Sequence, residues 1–365
     1  MYLIATHVVY DDKENATHGS AHAVFDFLKK NNKQVILIEH CLYGKYQSQI
    51  VKQNDFVKKT GRFYKSNLIF KSFNELFCNI KYFKGTDVFI CVDPLNGIAG
   101  VIFKLFKHKK VFIYLTPDYT ESRFTNKILN IIYQLTDRVC LKFSNEVWSV
   151  STRIQNKRRL QGLADSKNKL LPNSPDFESI KRKAYDGNKN LVIVSHLSKS
   201  LNLLPILEAV KLLTKNFTDI KLSIIGSGDE REAFQALTIK MHLEKNVNFL
   251  GQKNHEEVMR VLSESFLGFA LYTKENSWNF YGDSMKAREY VACGMPVIIN
   301  DIPSTADDIR KYDAGLVLAE IDTEKIVNFI EKCLIDKKYY LGLRENAIRL
   351  GKDFDKNKIL KELLG

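Results

Sequence analysis

The stretch that decides the fold is residues 283–299, which read DSMKAREYVACGMPVII. Its polar start offers capping residues for a helix, which the sequence predicts over 284–292. Gly294 then ends this helix, and the apolar residues 296–300 predict a buried parallel strand. A helix that leads directly into such a strand is typical of an α/β fold.

The same stretch carries two charged side chains one helical turn apart. Lys286 and Glu289 share one face of the predicted helix, close to its N-terminus. A lysine beside a helix N-terminus suits a diphosphate, and a carboxylate can accept hydrogen bonds from the vicinal hydroxyls of a ribose. A solvated ion pair on a surface helix is the alternative interpretation.

Apolar runs of strand length alternate with helical patterns in both halves of the chain. This order predicts an α/β protein with parallel sheets, built as two doubly wound, Rossmann-like domains. Open sheets of this kind bind ligands at the carboxyl ends of their strands, so we expect the two domains to face a common cleft. The predicted strands are 2–9, 34–39, 87–92, 110–115, 146–150, 191–195, 221–225, 247–250, 268–272 and 296–300, and the predicted helices include 20–31, 98–107, 203–215, 230–241, 255–264, 284–292 and 356–364.

Chain length and one cluster of breaker residues predict where the domains divide. At 365 residues the chain is too long for one ordinary core. The segment LPNSPD at 171–176 interrupts the alternation and indicates a linker. We therefore expect an N-terminal domain over 1–172, a linker over 173–190 and a C-terminal domain over 191–350. The helix within 351–365 is expected to pack back toward the N-terminal domain.

The formal net charge of +13 indicates a partner of opposite sign. Much of this charge is interleaved with aromatic residues, in 43–71 and in the stretch 101–110, which reads VIFKLFKHKK. Basic residues beside aromatic ones are typical of surfaces that contact anionic lipid headgroups. A solvated helix face over an ordinary core is the alternative. The sequence shows no zinc spacing and no aromatic RNA-binding signature, so nucleic acid is not an expected partner.

The cysteines and the first residues bear on the compartment. The six cysteines are scattered without a C-x-x-C pair, which favours buried free thiols in a reducing compartment. The opening residues MYLIATH have the pattern of a strand and lack that of a secretory signal. No apolar run reaches the roughly 18–20 residues that span a bilayer. We therefore expect a cytoplasmic protein, able to lie as a peripheral protein on the inner face of the cytoplasmic membrane.

Segments from both halves carry a family resemblance. In the second half these are VSHL at 194–197, IIGSG at 224–228, VNFLG at 247–251 and the stretch 283–299. In this order they resemble the donor-binding domain of nucleotide-sugar glycosyltransferases of the GT-B architecture, most of all family 4, the retaining transferases. The first half resembles bacterial transferases of cell-surface polysaccharides and glycolipids in four places. These are PDY at 117–119, RF at 123–124, an asparagine at 126 and WSVS at 148–151.

The resemblance implies donor contacts at the matching positions. Glu289 would accept hydrogen bonds from the ribose, and Lys286 would neutralise the diphosphate. Backbone N–H groups, glycines that admit a close approach and a residue beside the base would complete the site. These further positions are Ser284 and Met285 for the N–H groups, Gly226 and Gly228 for the glycines, and Leu250 for the base. Gly19, in the turn after the first strand, would bring the end of the first domain's helix near the diphosphate or the acceptor.

Two parts of the sequence depart from the family pattern. Tyr281 stands where family 4 usually has a glutamate that contacts the donor sugar, and Asp283 would take over that contact. His196 stands where an arginine is expected to bind phosphate, and Lys199 is displaced from the usual lysine position. A neutral histidine binds phosphate less strongly than a guanidinium, so Lys286 would supply more of the charge. A packing role is the alternative for His196.

Glycosyl transfer from a nucleotide sugar requires that the charge developing on the diphosphate leaving group be stabilised. Lys286 is the predicted catalytic group, and since lysines and helix N-termini supply positive charge, neither a metal nor another cofactor is expected. The resemblance implies a retaining reaction. If the reaction inverts instead, Asp118 or His18 would be the base that deprotonates the acceptor. The alternative roles are a turn or helix-capping residue for Asp118 and a plain turn residue for His18. For Arg123, the functional interpretation is contact with an acceptor phosphate, and the alternative is a surface or helix-capping arginine.

These features together imply a glycosyltransferase that moves a sugar from a UDP- or GDP-linked donor to a hydroxyl of a saccharide. The N-terminal domain would bind the acceptor, expected to be lipid-linked, in cell-surface polysaccharide or glycolipid synthesis. Two alternatives stay open on the sequence alone. One is a sugar-nucleotide epimerase of related fold, and the other is a non-catalytic basic protein that binds polyanions.

Overall fold

The computed structural model describes residues 1–10, 18–42, 49–53, 56–60, 68–274 and 277–365. It divides into two compact units, Met1–Pro172 with Leu360–Gly365, and Asn173–Ile359. The first unit contains an eight-stranded sheet of order β4-β3-β2-β1-β5-β6-β7-β8. Its elements are β1 (Tyr2–Val8), α1 (Ser20–Lys30), β2 (Val35–Cys41), β3 (Gln49–Gln53), β4 (Phe56–Thr60), α2 (Leu68–Lys81), β5 (Val88–Val92), α3 (Asp93–Phe106), β6 (Val111–Thr116), α4 (Lys127–Phe143), β7 (Glu146–Ser149), α5 (Thr152–Leu160) and β8 (Asn168–Leu170).

One edge of the first sheet differs from the prediction. Strands β1, β2 and β5 to β8 pair in parallel, whereas β3 is antiparallel to both β2 and β4. The predicted parallel sheet is confirmed, and the antiparallel hairpin β3–β4 is an addition that the sequence does not predict. Val51 of β3 is buried, but Lys52 is half-buried and Lys58 of β4 is exposed. Lysines on an edge strand discourage pairing with further chains, and Lys58 lies on the edge strand β4. Lys52 of the inner strand β3 instead pairs with Glu39.

The second unit contains a six-stranded parallel sheet of order β11-β10-β9-β12-β13-β14. Its elements are β9 (Asn190–Val194), α6 (Leu204–Leu213), β10 (Lys221–Ile225), α7 (Arg231–Lys240), β11 (Val247–Gly251), α8 (His255–Ser263), β12 (Leu267–Ala270), α9 (Ser277–Tyr281), α10 (Met285–Ala292), β13 (Val297–Asn300), α11 (Thr305–Tyr312), β14 (Gly315–Leu318), α12 (Thr323–Ile335), α13 (Lys337–Asp353) and α14 (Lys356–Leu364).

Both faces of the second sheet are covered, as a doubly wound fold requires. Leu191 and Ile193 of β9 belong to one apolar cluster, and Val192 between them belongs to the cluster on the opposite face. Ile298 of β13 likewise points away from Val297 into the first of these clusters. Strands buried on both faces read as continuous apolar runs, which is why the sequence predicts them well.

Residues 173–190, expected to be a linker, are grouped with the second unit. The backbone N–H of Phe177 donates to Asp355 at 2.8 Å. The Arg182 guanidinium lies 3.8 Å from the centre of the Phe177 ring and donates to the carbonyl of Ala292. The segment is therefore tied to the second unit by specific contacts that its polar composition does not reveal.

All six cysteines are buried and free, as the sequence predicts. In the described residues, no helix is both long and apolar enough to cross a bilayer.

Candidate functional site

The start of α10 is fixed by a network of hydroxyl groups. Ser284 caps the helix, since its Oγ accepts the Ala287 N–H at 3.2 Å. The Tyr272 hydroxyl lies 2.6 Å from the same Oγ. The backbone N–H of Ser284 donates to Thr305 Oγ1 at 2.7 Å. That N–H is therefore not available to a phosphate, which corrects the role predicted for Ser284, while the role of Met285, half exposed in the first turn, stays a prediction.

Lys286 lies at the carboxyl end of the second sheet. Its Nζ donates to Ser195 Oγ at 3.0 Å, and Ser195 directly follows β9. The Nζ is also 5.8 Å from the centre of the Tyr272 ring. Burial lowers the pKa of Lys286. A lysine with little water around it interacts more strongly with an incoming anion than a solvated lysine does.

Glu289 is nearly buried one turn further along α10. Its side chain is 10% exposed, and its Oε1 lies 3.0 Å from Nε2 of His255. His255, whose side chain is 71% exposed, is the first residue of α8, and the hydrogen bond with Glu289 raises its pKa. Sequence reasoning missed His255, although the first residue of a helix after a strand is expected at the same sheet edge.

Asp283 does not face solvent, which corrects its expected contact with a donor sugar. Its carboxylate is fully buried and receives two bonds from Nε of Arg288 and one from Nη2. Thr305 Oγ1 donates to it at 2.7 Å, and so does the backbone N–H of Asn173, at 2.8 Å. Arg288 also binds Asp308 at 2.6 Å. Asp283 therefore holds the start of α10 in place.

Gly226 and Gly228 are required by the close approach of two loops within the second unit. Their φ angles are +140° and +155°. A Cβ on Gly226 would lie 1.8 Å from the carbonyl oxygen of Ser195, and a Cβ on Gly228 would lie 2.2 Å from that of Leu197. Contacts within the protein therefore already require glycine at both positions. A further role for these glycines in the approach of a nucleotide stays a prediction.

His196 and Lys199 lie on the loop that follows β9, and both side chains are exposed. The packing alternative for His196 is therefore wrong. Leu250 of β11 is 37% exposed, so its side chain can contact a ligand. Tyr281, in the position of the missing glutamate, is half-buried at the end of α9.

In the first unit, Asp118 follows β6 and forms an ion pair with Arg123 at 2.9 Å. Both side chains are about one-third exposed, and Arg123 also lies over the Tyr133 ring at 5.4 Å. The cap of α4 is Asn126. Asp118 and Arg123 therefore do not cap α4, while a turn role for Asp118, a surface role for Arg123 and contact with an acceptor all stay predictions. Asp118 also lines a small pocket together with Asp93.

His18 and Gly19 lie at the start of α1, beside a buried cluster that sequence reasoning missed. The His18 ring stacks on that of His22 at 4.7 Å, and burial and His22 together lower the pKa of His18. The Gly19 N–H donates to His22 Nδ1, and His22 Nε2 lies 2.8 Å from Glu39. Thr17, in the same predicted turn, lies outside the described residues.

Glu39 is held ionised by its partners. Although burial opposes ionisation, hydrogen bonds from His22, Lys52 and Tyr10 lower the pKa of Glu39 to about 2.

A second buried cluster joins β1, α2 and the start of α3. His7 lies 2.5 Å from Asp93 and 3.1 Å from Glu75. Burial disfavours the charged ring, but the two carboxylates raise the pKa of His7 to about 10. Asp93 has a φ of +66°, and its Oδ1 accepts the N–H groups of Leu95 and Asn96. His7 therefore holds in place the turn that begins α3.

Two aspartates at the spacing Asp-x-Asp, which could offer carboxylates to Mg²⁺, occur at Asp353 and Asp355. Asp353 accepts a hydrogen bond from the Tyr312 hydroxyl at 2.8 Å. Asp355 accepts the N–H of Lys358 at 2.7 Å, besides that of Phe177. Both carboxylates are thus used in contacts within the second unit.

Comparison with known proteins places these features in a class. Residues 176–350 match the family described as Glycosyl transferases group 1. A Campylobacter jejuni relative, N-acetylgalactosamine-N,N'-diacetylbacillosaminyl-diphospho-undecaprenol 4-alpha-N-acetylgalactosaminyltransferase, is 28% identical over 316 residues, or 82% of each chain. The solved structure of Anabaena Alr3699/HepE in complex with UDP has a TM-score of 0.71 at 14% identity, over 99% of this chain and 98% of that one. WaaG, a glycosyltransferase involved in lipopolysaccharide biosynthesis, has a TM-score of 0.65 at 13% identity, over 100% and 98%.

The two-sheet fold is that of the GT-B glycosyltransferases. The chain is a glycosyltransferase of this fold, and it resembles the bacterial enzymes of polysaccharide and glycolipid synthesis. It is therefore an enzyme. The comparisons support neither the epimerase nor the polyanion-binding alternative.

Proposed function

We propose that this enzyme transfers a sugar from a nucleotide-diphosphate donor to a hydroxyl of a lipid-linked saccharide. The observation that carries the proposal is the placement of Lys286 and Glu289. Both lie at the carboxyl end of the second sheet, one turn apart on a capped helix; Lys286 is partly buried and Glu289 is nearly buried. A cation and a carboxylate at this spacing complement the diphosphate and the ribose of one nucleotide.

Lys286 would act on the leaving group. As the bond between the sugar and the diphosphate breaks, negative charge accumulates on the phosphate oxygens, and the Lys286 ammonium would stabilise it. The hydrogen bond to Ser195 holds the ammonium in position before the donor binds. We propose that no metal is needed, because this lysine and the first turn of α10 supply positive charge.

Glu289 would hold the ribose by accepting its hydroxyl hydrogens. His255 already occupies one of the carboxylate oxygens, Oε1, so the other is left to the ribose unless His255 moves.

We propose retention of the anomeric configuration by resemblance to family 4, with Asp118 or His18 as the base if the reaction inverts.

The acceptor and the place of action rest on relatives. The name of the C. jejuni relative specifies a diphospho-undecaprenol acceptor, and the Anabaena structure is a complex with UDP. We therefore propose a prenyl-diphosphate-linked saccharide as acceptor, UDP ahead of GDP as donor nucleotide, and action at the cytoplasmic face of the membrane.

Turnover with defined substrates tests this function. The purified enzyme would be incubated with each common UDP- and GDP-sugar and a prenyl-diphosphate-linked saccharide, with and without EDTA. We expect one donor to give an elongated lipid product at the same rate in both conditions. Elongation with none of the donors would overturn the proposal, and elongation abolished by EDTA would overturn its metal-independent part.

A further inference from the structure

The exposed imidazole of His255 covers part of the carboxylate that is proposed to hold the ribose. Its Nε2 lies 3.0 Å from Oε1 of Glu289, and 71% of the His255 side chain is exposed against 10% of the Glu289 side chain. His255 begins α8, which follows β11, and Glu289 belongs to α10. The contact therefore joins an exposed ring to a nearly buried carboxylate at the carboxyl end of the second sheet.

The backbone that carries the His255 ring is fixed by a reciprocal cap at the start of α8. Asn254 Oδ1 accepts the N–H of Glu257 at 2.9 Å, and the Glu257 carboxylate accepts the N–H of Asn254 at 3.1 Å. Glu257 also pairs with Lys253 at 3.9 Å. Caps of this kind satisfy the first N–H groups of a helix and fix where it begins. The ring of His255 is therefore presented to Glu289 from a firmly held turn.

The charged groups around the ring favour its protonated form. The hydrogen bond with Glu289 raises the pKa of His255, against burial and against the charge of Lys356 at the start of α14. The positive end of α8 also disfavours an imidazolium, but Glu256 and Glu257 lie in the first turn of this helix and compensate it. The ring can therefore supply positive charge directly beside Glu289.

Donor binding creates an electrostatic conflict at α10. A nucleotide diphosphate would bring its negative charges to Lys286, one turn from the Glu289 carboxylate. Burial lowers the pKa of Lys286 and the charge of Glu289 opposes this, so the two side chains already interact. Like charges repel more strongly where water is partly excluded. An ammonium that has to neutralise Glu289 also has less charge to offer to phosphates.

We propose that His255 is a positioning residue whose imidazolium neutralises Glu289 and leaves the charge of Lys286 to the diphosphate. Its hydrogen bond to Oε1 also holds the carboxylate so that Oε2 is available to the ribose. Protonation of this ring then sets how much positive charge the donor site carries, and the affinity for a nucleotide diphosphate falls as the pH rises and the ring loses its proton. This inference rests on the proposed function, because it assigns His255 a part in holding the donor at Lys286 and Glu289.

Titration calorimetry of the full chain with UDP and GDP, at about pH 6 and about pH 9, tests the inference. The variants are His255→Gln, whose amide can still donate to Glu289 but carries no charge, and His255→Ala, which removes both the bond and the charge. The matched control is His108→Gln, at an exposed histidine of the first unit. Because a terminal phosphate itself titrates near a pH of about 6, each variant is compared with the wild type at the same pH.

The lower pH should separate the wild type from the uncharged variant. We expect His255→Gln to bind the nucleotide about three- to tenfold more weakly than the wild type at the lower pH and about equally well at the higher pH. His255→Ala should lose affinity at both pH values, because Glu289 is no longer held, and His108→Gln should follow the wild type. In NMR titrations the His255 ring signal, assigned by its absence from His255→Gln, should lose its proton at a higher pH in the wild type than in Glu289→Gln.

Two results would overturn the inference while leaving the proposed function in place. One is nucleotide binding in which His255→Gln and the wild type differ by the same factor, or not at all, at both pH values. The other is a His255 ring pKa that Glu289→Gln leaves unchanged. A folded wild-type protein that binds neither UDP nor GDP at either pH would instead contradict the donor site itself, and this inference with it.

Discussion

The two units hold their charged groups in different ways. In the second unit, Lys286 and Glu289 lie on one short helix whose start is fixed by Asp283, Arg288 and Thr305. In the first unit, Asp118 and Arg123 form an ion pair about one-third exposed in a loop, and the buried groups come from separate elements. A helix turns sequence spacing into spatial proximity, whereas a loop does not. This difference explains why the sequence pattern finds one set of groups and misses the other.

Loss of the buried arginine should give the largest effect on stability. Arg288→Ala leaves Asp283 and Asp308 without their main partner in a buried position, so we expect the free energy of unfolding to fall by about 3–5 kcal/mol. Urea unfolding followed by circular dichroism measures this change. Arg310→Ala is the control, because Arg310 is 52% exposed and its ion pairs should contribute less than about 1 kcal/mol. Equal losses in the two variants would show that the start of α10 is no more firmly held than the surface.

Loss of the lysine on α10 should affect turnover and leave stability nearly unchanged. Lys286→Ala is expected to lower kcat by about 10²–10³-fold, because the leaving group loses its stabilising charge. Lys189→Ala is the matched control, since Lys189 is also partly buried but precedes β9 at its opposite end. Steady-state rates of donor consumption measure both variants. A loss of under fivefold in a folded Lys286→Ala protein would remove Lys286 from the mechanism.

The buried histidine of the first unit should make stability depend on pH. The pKa of His7 rises from an ordinary 6.5 to about 10 in the folded chain, next to Asp93 and Glu75 and with the buried His40 ring 5.7 Å away. A raised folded pKa adds stability that is complete below pH 6.5 and is lost as the pH rises through 10. We therefore expect the urea midpoint of the wild type to fall across this window more steeply than that of His7→Gln. Parallel pH profiles would mean that the ring is not charged in the folded protein.

The exposed aspartate of the first unit should have the smallest effect on turnover. If the reaction retains configuration, Asp118 is not the base, and Asp118→Asn should lower kcat by less than about tenfold. Rates would be measured together with the anomeric configuration of the product by NMR. A loss above about a hundredfold with an inverted product would assign Asp118 as the base and place essential chemistry in the first unit.

Much of the second unit can be predicted from sequence. The predicted helix 284–292 and strand 296–300 differ from α10 and β13 by one residue each at the start, because Ser284 caps the helix and the pairing of β13 begins after Pro296. The sequence predicts a ligand contact for Asp283 because nothing local shows that Thr305 of α11 donates to it, or that its partner Arg288 also binds Asp308 of α11.

The rest required contacts between distant parts of the chain. The hairpin β3–β4 has a basic composition that gives no sign of its pairing with β2. His255 meets Glu289 across 34 residues of sequence, and His7 meets Asp93 across 86. Such pairs depend on which strands become neighbours in the sheet, and no spacing rule in a single sequence supplies that order.

Titration calorimetry with UDP and GDP, on the wild type and on Glu289→Gln, tests most directly that α10 binds the donor nucleotide. Glu264→Gln, altered at a glutamate that pairs with Lys183 on the surface, is the control. We expect the wild type and the control to bind at least one nucleotide equally well, and Glu289→Gln to bind it about ten- to a hundredfold more weakly, as for one lost hydrogen bond to a charged group. Unchanged affinity in Glu289→Gln, or no binding of either nucleotide by the wild type, would contradict a donor site at Glu289 and Lys286.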